Sequence, residues 1–196
     1  AGAADPTIRA WGIRLLTTQG LRELQRPGSV DSMDADMGAF VQAALVDPEP
    51  QVRLQGLIYV TQLSRARASY ASFDDALLQS LRLCGNDPVL QRTAWQAIKA
   101  YGGRYRRIVP RLLADGELQG TPLGRELTSR LVDWLLAERE LDAGTLATAL
   151  ATQVELKLPT QLLKRLAERV QSGELQGERL GQVRTALTPA LTPLLQ

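Results

Sequence analysis

The chain of 196 residues contains no histidine and a single cysteine, Cys84, so it lacks most of the side chains that carry out enzymatic chemistry. Histidine is the usual general base, the partner of nucleophilic serine or cysteine, and the commonest metal ligand. One cysteine excludes an internal disulfide and a cysteine-rich zinc site. We therefore expect no catalytic residue, no bound metal and no cofactor, and the sequence predicts a protein that is not an enzyme.

Three pairs of neighbouring carboxylates are the remaining candidates for acid–base or metal chemistry. Carboxylates one or two residues apart do not share a helix face, and aspartates at a helix N-terminus interact favourably with the helix dipole. The first two pairs fall at predicted helix N-termini, so we interpret the pairs as structural. They are Asp34/Asp36, Asp74/Asp75 and Glu138/Glu140.

The strongest charge cluster mixes arginine with tyrosine. Arginines with interleaved tyrosines can hold phosphates and stack on bases, which makes nucleic-acid binding the alternative function. The other interpretation is a helix junction with a solvated face. The net charge of only +2 favours a protein partner, because nucleic-acid binders are usually more basic. The cluster comprises Tyr101, Arg104, Tyr105, Arg106, Arg107 and Arg111.

The cysteine and the three tryptophans are the remaining candidates for a reactive or binding side chain, and we expect most of them to be structural. Cys84 ends a predicted helix and is expected to be a buried structural thiol. Trp95 and Trp134 lie in apolar patterns and are expected in the core. Trp11 lies off the packed face of its helix and is the best candidate for an exposed aromatic residue.

Apolar residues recur at helical spacing along almost the whole chain, which predicts an all-α protein. Asp-Pro or Thr-Pro pairs predict helix starts at 5–6, 47–48, 87–88 and 121–122. Gly20, Gly85 and Gly102 are expected at helix ends, and Pro189 and Pro193 are expected to end helical order. The predicted helices span 6–19, 34–46, 48–65, 73–84, 88–101, 104–114, 122–140, 143–154, 160–171 and 178–188.

The three helices that follow Asp-Pro pairs can be superposed, with spacings of 44 and 38 residues. Each has apolar or small residues at relative positions 0, 4, 5 and 8, which share one helix face. The small residue at the second position predicts close approach of a neighbouring helix. The aligned residues are Ile8, Gly12, Ile13 and Leu16; Val52, Gly56, Leu57 and Val60; and Leu90, Ala94, Trp95 and Ile98.

This period, together with the segment DPEPQVRLQGLIYVTQL (47–63), resembles the second helix of HEAT repeats. MGAFVQAALV (37–46) and FDDALLQSLRLC (73–84) fit the first helices. The resemblance implies an α-solenoid of antiparallel helix pairs over residues 1–114. It also implies a ladder of hydrogen bonds between the turn aspartate and the helix arginine of adjacent repeats, with Asp47 and Arg53 in those roles and Asp5 and Arg9 as a shorter version. Gln91 departs from this pattern.

Residues 115–196 carry a repeat of their own, because GELQG occurs at 116–120 and again at 173–177. The pairs Leu123-Gly124 and Leu180-Gly181 follow at matching positions. We expect diverged helical pairs stacked on the same solenoid, with a separate small helical domain as the alternative.

A narrower similarity links TIRAWGIRLL (7–16), PQVRLQGLIYVTQL and DPVLQRTAW to the helical-repeat segment of multidomain planctomycete-type proteins. Those proteins join a membrane-bound dehydrogenase domain to HEAT-like repeats and often to a cytochrome c. The similarity implies a connecting solenoid in the periplasm or cell envelope; otherwise the expected location is cytoplasmic. The first predicted helix of the chain corresponds to the second helix of a HEAT repeat. The first helix of that repeat is therefore expected before Ala1.

These patterns predict a non-catalytic scaffold or interaction module that binds a protein partner, or another domain of the same polypeptide, through its concave face. No apolar run is long enough for a membrane helix, so no membrane insertion is expected. The residues expected to bind the partner are Trp11, Arg14, Gln55, Tyr59, Gln62, Gln96, Lys99, Arg104, Arg106 and Arg107.

Overall fold

The computed structural model describes residues 4–24, 35–65, 73–104, 108–137, 145 and 159–192. Every regular element in these ranges is a helix, and no strand occurs among them, which confirms the all-α class. The helices are α1 (Pro6–Leu24), α2 (Ala35–Leu45), α3 (Pro50–Arg65), α4 (Asp74–Arg82), α5 (Pro88–Arg104), α6 (Ile108–Ala114), α7 (Gly116–Gln119), α8 (Pro122–Ala137), α9 (Pro159–Gln171) and α10 (Gly177–Leu191).

The chain divides into two compact units, Ala1–Ile108 and Val109–Gln196. The sequence placed the division after residue 114. The predicted helix at 143–154 lies outside the described residues except for Thr145, which is buried.

Three of the four predicted helix starts are confirmed by their capping bonds. Asp5 Oδ1 accepts from the Thr7 amide at 2.7 Å, Asp87 Oδ1 accepts from Val89 at 2.8 Å, and Thr121 Oγ1 accepts from Gly124 at 3.0 Å. The start at 48 is wrong by two residues. Asp47 caps only the Glu49 amide, and the first helical bonds run from Val52 and Arg53 to the Glu49 carbonyl, so α3 begins at Pro50.

Helix ends were harder to predict. Gly85 adopts a left-handed φ of 54° in the turn after α4, where glycine avoids the Cβ clash. Gly20 and Gly102 do not end their helices, because α1 continues to Leu24 and α5 to Arg104. A glycine inside a helix costs only about 1 kcal/mol, which the residues after it outweigh.

Pro189 also lies inside a helix, α10, instead of ending it. Proline removes its own amide donor and crowds the preceding turn, but Pro189 lies close to the end of the helix, where few bonds follow it. The Thr192 amide still donates to the Thr188 carbonyl and continues the helix past it.

Helix α3 is the centre of the first unit, because it packs against α1, α2 and α5, while α2 also packs against α4. The helices therefore form two rows, one of α1, α3 and α5 and the other of α2 and α4. Complete burial of one leucine side chain contributes about 1.5–3 kcal/mol. The core of this unit contains Leu45, Leu57, Val60, Leu63, Leu77, Leu81 and Ile98.

The repeated apolar face is buried in α3 and largely buried in α5, but only partly in α1. Val52 and Leu90 are 1% and 2% exposed, whereas Ile8, at the same position of α1, is 60% exposed. Trp95 is half-buried, not enclosed in the core as expected. Among the described helices, α3 packs against both α1 and α5, whereas α1 packs mainly against α3.

In the second unit, a buried polar network connects α6, α7 and α8. Gln119 donates through Nε2 to the Leu112 carbonyl at 3.0 Å, and the Thr128 hydroxyl donates to Gln119 Oε1 at 2.8 Å. Gly124 is required here, because a Cβ at this position would overlap the Leu118 carbonyl. Trp134 is half-buried, so its placement in the core was wrong.

The two GELQG segments fold differently. The first copy forms α7, which the sequence did not predict, with Asp115 as its N-cap at 3.0 Å from the Leu118 amide. The second copy is a turn with left-handed φ angles at Gly173 and Gly177. Both copies bury their leucine, Leu118 or Leu175, so the repeat preserves one core contact and not a conformation.

Candidate interaction surfaces

Trp11 and Arg14 are neighbouring exposed side chains of α1. Trp11 is 55% exposed, as expected, and the Arg14 guanidinium lies 5.2 Å from the centre of its ring. This is a cation–π contact, which holds an aromatic and a cationic group together at the surface. Gln96 and Lys99 are exposed on α5.

Tyr59 does not belong to this surface. It is 2% exposed, and burial raises the pKa of its hydroxyl. Leu15, at the matching position of α1, is 66% exposed, so the position is buried only where helices flank it on both sides. Gln55 and Gln62 are half-buried, which leaves them a smaller contact area than the exposed residues.

The arginine–tyrosine cluster is only partly described. The Arg104 side chain and residues Tyr105, Arg106 and Arg107 lie outside the described part, and Arg111 is exposed. Tyr101 is buried and its hydroxyl donates to Asp74 Oδ1 at 2.7 Å and accepts from the Phe73 amide at 3.2 Å. It is therefore a core residue, and its ring is not accessible for stacking on a nucleic-acid base.

The sequence contained a signal for this burial, because Tyr101 continues the buried positions 90, 94, 97 and 98 of the same helix. Its hydroxyl connects the C-terminal part of α5 to the start of α4. Asp74 and Asp75 are the first two residues of α4, which confirms their predicted position at a helix N-terminus. The side chains of the other two acidic pairs lie outside the described residues.

Cys84 is buried and its thiol donates to the Ser80 carbonyl at 3.3 Å. Burial raises the pKa of the thiol to about 11, with a smaller opposing effect of Arg53. A thiol with this pKa is almost entirely protonated at neutral pH and is a poor nucleophile. The expected structural role of Cys84 agrees with this environment.

An ion pair joins Arg9 of α1 to Asp47 in the turn before α3. Arg9 donates through Nε to Asp47 Oδ2 and through Nη2 to Asp47 Oδ1, both at 2.9 Å. These hydrogen bonds lower the pKa of Asp47, against an opposing effect of burial, and raise the pKa of Arg9. The pair fixes α1 to the turn that follows α2.

Arg53 connects the turn before α3 to the turn before α5. Its guanidinium is buried and donates through Nη1 to the carbonyls of Asp47 and Pro48, both at 2.8 Å. Through Nη2 it donates to the Leu83 carbonyl at 2.9 Å, in the turn that precedes α5. The Asp47 carboxylate therefore binds the arginine of the preceding Asp-Pro helix, Arg9, which is the pairing expected between adjacent repeats. Arg53 reaches the following turn through the Leu83 carbonyl and not through an aspartate side chain.

The same position of α5 is occupied by Gln91, whose Nε2 donates to the Gly85 carbonyl at 2.7 Å. Arg9 likewise donates to the Ala4 carbonyl at 2.9 Å. In all three helices, a long side chain of the first turns therefore bonds back to the turn that precedes its own helix.

Two apolar depressions lie on the described surface. One, of about 220 Å³, is bounded by α1, α2 and the start of α3. The other, of about 410 Å³, lies between α9 and α10 in the second unit. The side chains that line the second depression include Leu166, Val170, Leu175, Leu180, Val183 and Leu187.

No group of three or more potential metal ligands lies together in the described part of the chain. Judged by length and hydropathy together, none of the helices described above meets the requirements for crossing a bilayer. Comparison of the chain with protein-family models, with curated proteins and with solved structures finds no match.

Proposed function

We propose that this chain is a HEAT-like helical-repeat module that binds a protein partner or a neighbouring domain and has no catalytic role. The observation that carries the proposal is the linkage from turn to helix. Arg9 of one helix bonds to the Asp47 turn, and Arg53 of the next helix bonds to the Leu83 turn. This is a run of contacts between successive helix pairs, of the kind that holds a solenoid together.

The packing order supports the same proposal. The second helices α1, α3 and α5 follow one another in one row, and the first helices α2 and α4 contact each other in the other row. In a solenoid each repeat contacts mainly its neighbours, so the array presents an extended face for binding.

The partner-binding face that we propose is centred on Trp11 and Arg14 and continues to Gln96 and Lys99. Tryptophan and arginine are enriched among residues that dominate binding energies. Trp11 is already exposed and held by Arg14, so little side-chain entropy is lost when a partner covers it. Arg14 and Lys99 make the face suitable for a protein surface that carries carboxylates.

Site-specific crosslinking tests this face. A photoreactive amino acid replaces Gln96 in the chain expressed in its natural cells, and a control variant carries it at Glu117, which is exposed in the second unit. We expect a discrete protein adduct from position 96 that is lost with Trp11→Ala and Arg14→Glu and is absent from position 117. Identical adducts from both positions, or none, would contradict the proposal.

Nucleic-acid binding by the arginine cluster is measured in parallel. Fluorescence anisotropy with single- and double-stranded DNA at 50 and 200 mM salt detects phosphate contacts by their salt dependence. We expect no salt-dependent binding at micromolar protein. Tight binding that disappears when Arg104, Arg106 and Arg107 are replaced by Gln would favour the nucleic-acid function over ours.

A further inference from the structure

Helices α1, α3 and α5 run in the same direction along their row. Arg9 at the start of α1 bonds to the turn before α3, and Arg53 at the start of α3 bonds to the turn before α5. Because α3 also packs against both neighbours, residues at matching positions of the repeat lie on the same side of the row. Ile8, Val52 and Leu90 are position 0 of the three superposed helices.

Four cations of the row lie on one exposed stripe. They occupy positions 2, 6, 9 and 13 of the repeat, and side chains spaced by four, three and four residues share one face of a helix. Each of them is exposed, so this side of the row is cationic. In order of position, the cations are Arg92, Arg14, Lys99 and Arg65.

Carboxylates are nearly absent from the sequences of these helices. α3 and α5 contain no aspartate or glutamate, and α1 contains only Glu23, close to its end. Within the described residues, Arg65, Arg92 and Lys99 form no ion pair. Like charges on one face repel each other, so an anionic partner would relieve an unfavourable interaction.

The centre of the same face is aliphatic. In α3, positions 2 and 6 of the repeat are Leu54 and Ile58, which are half-buried. The matching residues of the neighbouring helices are Arg92 in α5 and Arg14 in α1. Since α3 lies between α1 and α5, the face presents an apolar surface with positive charge on both sides of it.

We propose that this face binds an acidic segment of a partner protein. Apolar residues of the segment contact Leu54 and Ile58. Its carboxylates pair with Arg14 of α1 and with Arg92 and Lys99 of α5. The inference rests on the proposed function, because it specifies the chemistry of the partner that covers the same face.

Nucleic acid is less complementary to this face than an acidic protein segment. A phosphate backbone has no apolar group that would cover Leu54 and Ile58. The net charge of the chain, +2, also gives only weak long-range attraction for a polyanion.

A fluorescein-labelled synthetic peptide of sequence DELDELDELDEL is the probe. One control peptide, NQLNQLNQLNQL, lacks the carboxylates, and a second, DESDESDESDES, lacks the apolar residues. Fluorescence anisotropy with the intact chain at 50 mM salt measures binding. We expect each control peptide to bind at least tenfold more weakly, and we expect binding of the probe to weaken at 200 mM salt because salt screens exposed charges.

Two double variants with the same change of net charge locate the binding site. Arg92→Glu with Lys99→Glu should weaken binding of the probe at least tenfold. Lys164→Glu with Arg184→Glu is the matched control at exposed positions of the second unit and should change binding less than twofold. Urea unfolding of both variants verifies that they are folded.

Three results with these probes would overturn the inference. The first is equal binding of the probe to the two double variants. The second is equal binding of the probe and either control peptide. The third is tighter binding of single-stranded DNA, or of phosphatidylserine vesicles, that is lost in the variant with Arg92→Glu and Lys99→Glu.

The crosslinking experiment at position 96 separates this inference from the proposed function. An excess of DELDELDELDEL should abolish the protein adduct, whereas NQLNQLNQLNQL should not. An adduct that persists in the presence of both peptides would overturn the inference and leave the proposed function intact. The absence of any adduct would contradict the proposed function itself. A crosslink to another copy of the chain, or to its own residues, would assign the face to that occupant and overturn the inference.

Discussion

Arg9 and Asp47 lie 38 residues apart in the sequence and form two hydrogen bonds of 2.9 Å between one guanidinium and one carboxylate. Such a two-bond pair fixes orientation as well as distance. It connects α1 to the turn before the central helix α3. The pair therefore fixes the position of α1 along α3.

The pair predicts a pH dependence of stability. Because Arg9 lowers the pKa of Asp47 in the folded state, the pair stabilises the fold above the ordinary aspartate pKa of about 3.9. This contribution is lost as the pH falls through the lowered folded pKa. We expect Asp47→Asn, which retains the cap on Glu49, to reduce stability equally at pH 7 and 5 but less below about pH 4. Urea unfolding at several pH values measures this difference.

Asp87→Asn is the matched control, because Asp87 caps α5 through the Val89 and Leu90 amides. It should show a smaller effect near neutral pH. An equal loss of stability in the two variants would mean that capping, and not the ion pair with Arg9, is the important contribution of Asp47.

The two aligned glycines should respond oppositely to alanine. Gly56→Ala places a methyl group against the backbone of Leu45 and Ala44, which cannot easily move, and should reduce the free energy of unfolding by roughly 1–3 kcal/mol. Gly12→Ala meets only the Phe40 ring at van der Waals distance and should increase it by about 0.5–1 kcal/mol through helix propensity. Chemical denaturation of both variants tests the prediction, and a change of the same sign in both would contradict it.

Tyr101 should stabilise the junction of α4 and α5 through its hydroxyl group. Tyr101→Phe removes the bond to Asp74 and the acceptor of the Phe73 amide, both in a buried environment. We expect a loss of about 1–3 kcal/mol with little change in packing. A double-mutant cycle with Asp74→Ala, which removes the acceptor oxygen, should show coupling between the two residues. Additive effects in that cycle would argue against a direct interaction.

The thiol of Cys84 should react slowly in the folded protein. At pH 8, a pKa of about 11 reduces the thiolate fraction about 100-fold relative to an ordinary cysteine. Iodoacetamide labelling, followed by mass spectrometry, should therefore be slower than labelling in 6 M guanidinium by at least this factor. Labelling at the denatured rate under native conditions would show that the site is open.

The sequence predicted the all-α class and most helix starts, because an Asp-Pro pair determines both a cap and the first φ angle locally. It also identified Gly56 as a point of close approach from its place in the repeat. It assigned Asp47 and Arg9 to contacts between adjacent repeats, and the two side chains do bind each other. It could not show that Arg53 would bind the Leu83 carbonyl instead of an aspartate side chain in the following turn. That choice depends on how far one helix is displaced along the next.

The errors at the candidate site have a common physical cause. Tyr59 was expected at the surface because periodicity defines the faces of one helix, whereas its burial depends on neighbours on both sides of α3. Tyr101 was grouped with nearby arginines in sequence, although its helical position directs it towards Asp74. The exposure of Ile8 could not be predicted either. Ile8 and Val52 occupy the same position of the sequence repeat and differ only in whether a helix covers them.

The bond from Arg53 to the Leu83 carbonyl has an evolutionary consequence. A main-chain oxygen is present whatever amino acid occupies the position, so this connection imposes no side-chain requirement on the following turn. Replacement of the Leu83 side chain therefore leaves the connection between α3 and this turn in place. A chain built on such contacts can lose the recognisable sequence signature of its repeats long before it loses their packing.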